Sequence, residues 1–214
     1  MPLTLVSVVA CRRGRLADWR PEDYSAYKVL RLLGGRRIAG SAWLPRDAGS
    51  PQRISNAHRD LVVSWFVDRV APYVRPVGDG TPRVVLVPFP DPGRVVGAPP
   101  SRSRLLAQAL ADRSGLRVLD ILRWRQPMPR CRALGVQTLA DNLVTTGSVV
   151  QTTCILVAEC VSSGAGLQAA ASQLRRYGGD TRLSISAGRA GEQREPDPFT
   201  TALTELDDVA TADL

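Results

Sequence analysis

"ILVAECVSSGAGLQAAASQLRRYGG", residues 155–179, is the stretch on which the fold turns. An unbroken apolar run opens it, and such a run suits a strand buried on both faces, as in a parallel sheet. The run stops at a small polar loop, and the loop opens into a helix over residues 165–177. Strand, loop and helix in that order form one step of an α/β fold.

The same alternation extends in both directions. "MPLTLVSVVACRRGR" begins with a strand over Leu3 to Ala10. "EDYSAYKVLRLL", residues 22–33, reads as a helix that Gly34-Gly35 ends. In residues 54–74, Ile54, Leu61, Val62, Trp65, Phe66, Val70 and Tyr73 recur at helical spacing behind a Ser55 or Asn56 cap. "GDGTP" at 78–82 is a turn, and "RVVLVPFP" after it is a second doubly buried strand. "SRSRLLAQALADRSG" is a helix with a Ser cap and a Gly stop, "LRVLDIL" a strand, and "TRLSISAG" the last strand. Strands alternating with helices predict an α/β fold with a parallel sheet flanked by helices.

Composition narrows the function. At 214 residues, 44% hydrophobic and 22% charged, the chain is an ordinary globular one. No apolar run approaches the roughly 20 residues of a membrane helix. The first apolar segment precedes its charges, the reverse of a secretory signal, so the expected compartment is the cytoplasm. Cys11, Cys131, Cys154 and Cys160 form no CxxC pair and His58 is the only histidine, which argues against zinc and for free thiols. His58, near a helix start, reads as structural. Of the 28 basic residues all but Lys28 are arginine. Residues 190–214 carry a net charge of −6, leaving +14 on the rest. The acidic end reads as a flexible tail with a short helix around Phe199 to Val209, either solvated or folded over the basic body. A basic, Arg-rich body fits nucleic acid or a small phosphorylated ligand.

The loop after the 155–159 strand is the candidate site. In a parallel sheet, ligands bind outside the C-terminal strand ends. There Ser162, Ser163, Gly164, Ala165 and Gly166 would offer N–H groups and hydroxyls at a helix N-terminus, an anion cradle. The loop matches neither GxxxxGK[ST] nor GxGxxG. On the residues alone, a tight connection without a ligand is the competing reading.

The stretch resembles the phosphoribosyl-pyrophosphate (PRPP) motif of type I phosphoribosyltransferases: a hydrophobic strand, two acids, then a Thr/Ser-Gly loop. Ile155-Leu156-Val157 corresponds to the strand, Ala158-Glu159 to the acid pair and Ser162 to Gly166 to the 5′-phosphate loop. "VVLVPFP", "SRLLAQALADRSGLRVLDILRW", "ADNL" and "LSISAGRA" resemble, in order, the competence protein F (ComF) type of that fold. The resemblance spans roughly residues 83–190 and implies an N-terminal hood or appendage (1–80) and a phosphoribosyltransferase-like core (81–190), with the acidic tail read from charge following at 191–214.

What it implies chemically is transfer of a phosphoribosyl group from PRPP to an amine or nucleobase. The acid pair would grip the ribose hydroxyls, and Mg²⁺ would arrive on the pyrophosphate with no direct protein ligand. The departure is Ala158, which leaves Glu159 as the sole candidate catalytic acid. "PFPDPGRVVGAPPSRSR" takes the pyrophosphate-loop position, with Asp91 meeting a metal's waters and Arg94, Arg102 and Arg104 reaching phosphate. "RWRQPMPRCRALG" takes the flap position, with Arg123, Arg125, Arg130 and Arg132 over the leaving group and Trp124 stacked on a base. Exposed arginines on ordinary loops are the plain alternative for both. Two further readings stay open: a non-catalytic PRPP- or nucleotide-binding regulator, and a ComF-like partner in DNA uptake or processing that binds single-stranded DNA. Assembly as a homodimer is left open, and no membrane partner is expected.

Overall fold

The computed structural model describes residues 2–78, 83–93, 95, 101–128, 134–192 and 194–206. Its centre is a six-stranded sheet in the order β10-β1-β9-β8-β4-β5. These strands are β1 (Leu3–Arg12), β4 (Val84–Pro88), β5 (Arg117–Val118), β8 (Thr152–Val161), β9 (Gly179–Gly191) and β10 (Ala202–Leu206). Every adjacent pair is parallel except β1–β10. This is the mostly parallel sheet flanked by helices that the alternation predicted.

Helices cover both faces, as parallel strands require. On one face lie α1 (Pro21–Leu33), α2 (Arg59–Gly78) and α3 (Arg102–Ser114). They bury Leu30, Phe66 and Leu106 against Ile155, Val157 and Ile185. On the other lie α4 (Val136–Asn142) and α5 (Ala165–Arg176), with a two-stranded ribbon of β6 (Leu122–Trp124) and β7 (Leu143–Thr145). Here Leu122, Trp124, Leu139 and Leu167 pack on Leu156 and Ala158. A second ribbon pairs β2 (Ala42–Leu44) with β3 (Gln52–Ile54). The first strand lies between β9 and β10, so the N-terminal segment shares the sheet with residues 84–206.

Helix ends follow the local chemistry. Ahead of α2, the Ser55 backbone N–H donates to Nδ1 of His58 at 3.1 Å, so the lone histidine closes a helix start. Ser101 stands at the N-cap of α3, but its hydroxyl makes no cap bond. Instead Asp91 Oδ2 accepts the Arg102 N–H at 3.0 Å.

Three expectations are corrected. "LRVLDIL" is not one strand: β5 ends at Val118 and β6 begins at Leu122, with Asp120 between them bound to Arg123 at 2.9 Å and to Arg104 at 3.2 Å. The C-terminal segment forms no helix from Phe199 through Leu206. Phe199 is buried and packs edge-on to Trp65 at 6.0 Å, and residues 202–206 pair with β1, while 207–214 lie outside the described residues. Trp124 is no stacking platform: it is fully buried, edge-on to Phe89 at 5.8 Å.

Removing a fully buried aromatic leaves a cavity. Trp124→Ala is therefore expected to lower unfolding free energy by about 3–5 kcal/mol. Trp43→Ala, at a ring that is 53% exposed, should change it by no more than about 0.5 kcal/mol. Urea unfolding of the two variants makes the comparison.

Candidate functional site

Strand β8 delivers the site. Its side chains alternate faces, so Leu156 and Ala158 enter the α5-side core while Ile155 and Val157 enter the other. Glu159 follows Val157 onto the α1–α3 side and is itself buried. Its backbone N–H donates to Ser103 Oγ at 3.2 Å. Its carboxylate meets two guanidiniums: Arg102 Nη1 lies 3.1 Å from Oε2, and Arg36 pairs with Oε1.

Local chain chemistry places both arginines. Helix α1 ends with Gly35 in the left-handed region at φ +72°, where the Arg36 N–H bonds back to the Arg31 carbonyl at 2.7 Å and that of Gly35 to Leu32 at 3.0 Å. This closure throws Arg36 toward β8. Gly34 matters for space, since a side chain there would run into the Glu159 carboxylate. Arg102 is the first residue of α3 and is held by Asp91 through its backbone and, at 3.5 Å, through Nε. Burial pushes the Glu159 carboxyl up, against the opposing pull of Arg36 and Arg102, and Asp91 adds to the rise.

Beyond Val161 the chain leaves the sheet. Ser162 and Ser163 are exposed, and Gly164 adopts φ +82° as the N-cap of α5. Only glycine takes that conformation without strain, and a Cβ there would also lie 2.8 Å from Leu206. Ser163 Oγ accepts the Ala165 N–H at 3.4 Å. The first-turn N–H groups have no acceptor within the helix. Gly166 has a packing reason: a Cβ there would sit 2.9 Å from the Phe89 ring.

Ser162 borders a cavity of about 260 Å³ with Ala10, Arg189 and Glu195. Arg189 pairs in register with Val161 and donates to Glu195 at 2.9 Å. Sequence reasoning missed both Arg189 and Arg36. The first was findable as a cation at the C-terminal end of a parallel strand; the second carried no signal, because its place depends on how α1 ends.

The remaining candidates separate. Asp91 and Arg102 join Glu159. Arg104 and Arg123 turn to Asp120 instead, and Arg125 donates to the Asp141 carbonyl at 3.1 Å. Arg94, Arg130 and Arg132 lie outside the described residues. Ala158 is 1% exposed within the apolar cluster, and β8 runs three residues beyond it. A second acid at 158 would thus point into the core. Among the described residues no group of three metal-ligating side chains forms, and no helix is long and apolar enough to cross a membrane. Cys11 and Cys154 are free thiols, and burial pushes both to about 12.

Two substitutions test this geometry. Ala158→Asp buries an uncompensated carboxylate and is expected to cost about 3–5 kcal/mol at neutral pH in urea unfolding. For Glu159 the raised folded-state titration means that its contribution is favourable at low pH and is lost as pH rises through the raised value. Glu159→Gln should therefore be at least as stable as the parent at pH 8, with the parent gaining on it as pH falls. Melting curves across pH read the difference.

No family model matches the chain, and no curated protein matches it. Solved structures do. The chain is similar to an adenine phosphoribosyltransferase from Thermoanaerobacter pseudethanolicus at 13% identity and TM-score 0.41, over 70% of this chain and 95% of that one. It is similar to another adenine phosphoribosyltransferase at 10% identity and TM-score 0.43, over 75% and 89%. The third is an adenine phosphoribosyltransferase from Trypanosoma brucei in complex with AMP, pyrophosphate and ribose-5-phosphate, at 9% identity and TM-score 0.40, over 87% and 86%.

Proposed function

We propose that this chain is a phosphoribosyltransferase-like protein that binds PRPP or a nucleotide through its 5′-phosphate at residues 162–166. One observation carries the reading: the loop leaves the C-terminal end of a central parallel strand, turns at a left-handed Gly164 and opens a twelve-residue helix. The fixed backbone donors and the helix dipole favour a dianion there. The sequence resemblance to the PRPP motif, strand and loop together, supports the same assignment.

Binding is better supported than transfer. Breaking the anomeric bond builds positive charge on the sugar, and the diol must be held while pyrophosphate leaves. Glu159 is the one acid in the motif position, and both its oxygens are already engaged by Arg36 and Arg102. Loss of one charged hydrogen-bond acceptor costs about 1.5–3 kcal/mol where the bond is made. A regulator or ligand-responsive interaction module fits these residues, and phosphoribosyl transfer to an amine or nucleobase is the second reading. Mg²⁺ would come with the pyrophosphate and supply charge neutralisation. Asp91 is the carboxylate that would meet its waters, and its Oδ2 already accepts from Arg102. The single-stranded DNA reading has lost its stacking residue, because Trp124 is buried.

The test is a charge placed at an exposed position. Ser162→Asp should weaken phosphate or PRPP binding at least about tenfold, or ~1.4 kcal/mol, in calorimetry, with the melting temperature unchanged. Unaltered affinity would overturn the assignment of the loop. Pyrophosphate release from PRPP with Mg²⁺ and an acceptor, abolished by Glu159→Gln, would establish transfer in place of binding alone.

A further inference from the structure

A second cavity, of about 360 Å³, lies between the C-terminal ends of β1 and β8 and the outer part of α1. That volume falls within the range of small-molecule sites. Arg12, Arg13, Arg31 and Arg36 line it together with Trp19 and Tyr27, and no carboxylate does. Arg36 is paired with Glu159. The other three have no acidic partner among the described residues: Arg12 donates to the Asp18 carbonyl, and Arg31 to the Arg37 carbonyl at 3.0 Å. The Trp19 and Tyr27 rings meet edge-on at 5.5 Å. Three of the eight buried side-chain polar atoms that lack a partner among the described residues belong to this lining: Nε of Arg12, Nε of Arg13 and Nε1 of Trp19.

Every one of those three atoms is a donor, and buried donors are normally satisfied. Their residues line a cavity in which three guanidiniums have no acidic partner among the described residues, so an acceptor is what this lining lacks. Planar guanidiniums match planar or tetrahedral oxyanions in fork geometry, and the two rings match an aromatic body. We infer that this cavity binds a planar aromatic ring carrying an acidic group, a carboxylate or a phosphate. The inference goes beyond the phosphate loop and stands whether or not residues 162–166 bind PRPP.

Three probes of nearly equal size separate the sources of affinity: benzoate, phenyl phosphate and the neutral benzamide. Titrated into the full chain, benzoate or phenyl phosphate should bind at least about tenfold more tightly than benzamide and shift the Trp19 indole N–H resonance. Either anion should also shield the exposed Cys160, which lines the same cavity, from a thiol reagent, as read by peptide mass spectrometry. Arg13→Gln with Arg31→Gln should erase the preference for the anion. Ser162→Asp should lower inorganic phosphate affinity and spare benzoate, which keeps the two sites distinct. A preference for phenyl phosphate over benzoate would name phosphate as the group. Benzamide binding as well as the anions would overturn the inference, as would an unmoved Trp19 resonance with Cys160 unshielded. The unmodified protein alone decides this if the double variant fails to fold.

Discussion

Burial of β8 on both faces is the constraint on which everything else hangs. Ile155, Leu156 and Val157 are each fully buried, and they belong alternately to the two apolar clusters. Each such side chain contributes roughly 1.5–3 kcal/mol through removal from water, so a one-residue slip of register would turn both cores inside out. With register fixed, the chemistry at the strand end has no freedom. Residue 158 must face the α5-side core, residue 159 must face α1 and α3, and the chain escapes the sheet only after Val161. The alanine beside Glu159 is therefore a packing residue, buried under the same helix that the 162–166 loop opens.

That register also sets an electrostatic problem, and the arginines answer it. A carboxylate carried into the interior must find cations or lose its charge. Arg36 and Arg102 reach it from two helix termini while remaining partly exposed themselves, so their own desolvation is incomplete. Elsewhere the guanidiniums serve as multi-pronged donors to backbone. Arg20 reaches the Glu195 carbonyl at 2.7 Å, Arg175 that of Thr181 at 2.8 Å, and Arg194 that of Asp18 at 2.8 Å. An arginine-rich chain in which so many forks close loops onto the body needs no polyanionic partner to account for its composition. The C-terminal segment is drawn in by these bonds and by β10, and so much of the acidic end is structure.

Those parts of the fold that periodicity controls were legible from the sequence. The doubly buried runs at 84–88 and 152–161, the helices at 21–33, 102–114 and 165–176, and the loop between β8 and α5 all follow from local patterns. What was not legible depends on partners distant in the chain. Residues 202–206 alternate weakly and become a strand because β1 offers an open edge. Trp124 sits in an Arg-rich stretch that looks solvent-facing, yet β6 folds it onto Phe89. Asp91 reads as a metal-facing acid, whereas its nearest contact is the first N–H of α3. Arg36 carries no motif at all, and its contact with Glu159 spans 123 residues.

Arg36 also links two regions. It pairs with Glu159 and lines the cavity that holds Arg12, Arg13 and Trp19. An anion in that cavity and the Glu159 carboxylate would thus draw on one guanidinium. If the anion wins, Glu159 keeps Arg102 as its main counter-charge, and burial pushes its carboxyl further up. Protonation then weakens what remains of the tie to α3, where Arg102 is also anchored by Asp91. Linkage makes the coupling reciprocal: ionisation of Glu159 opposes the anion by the same free energy with which the anion favours protonation. The buried Glu159 carboxylate would in this way be tied to the occupancy of a neighbouring cavity by a single side chain placed by the end of α1.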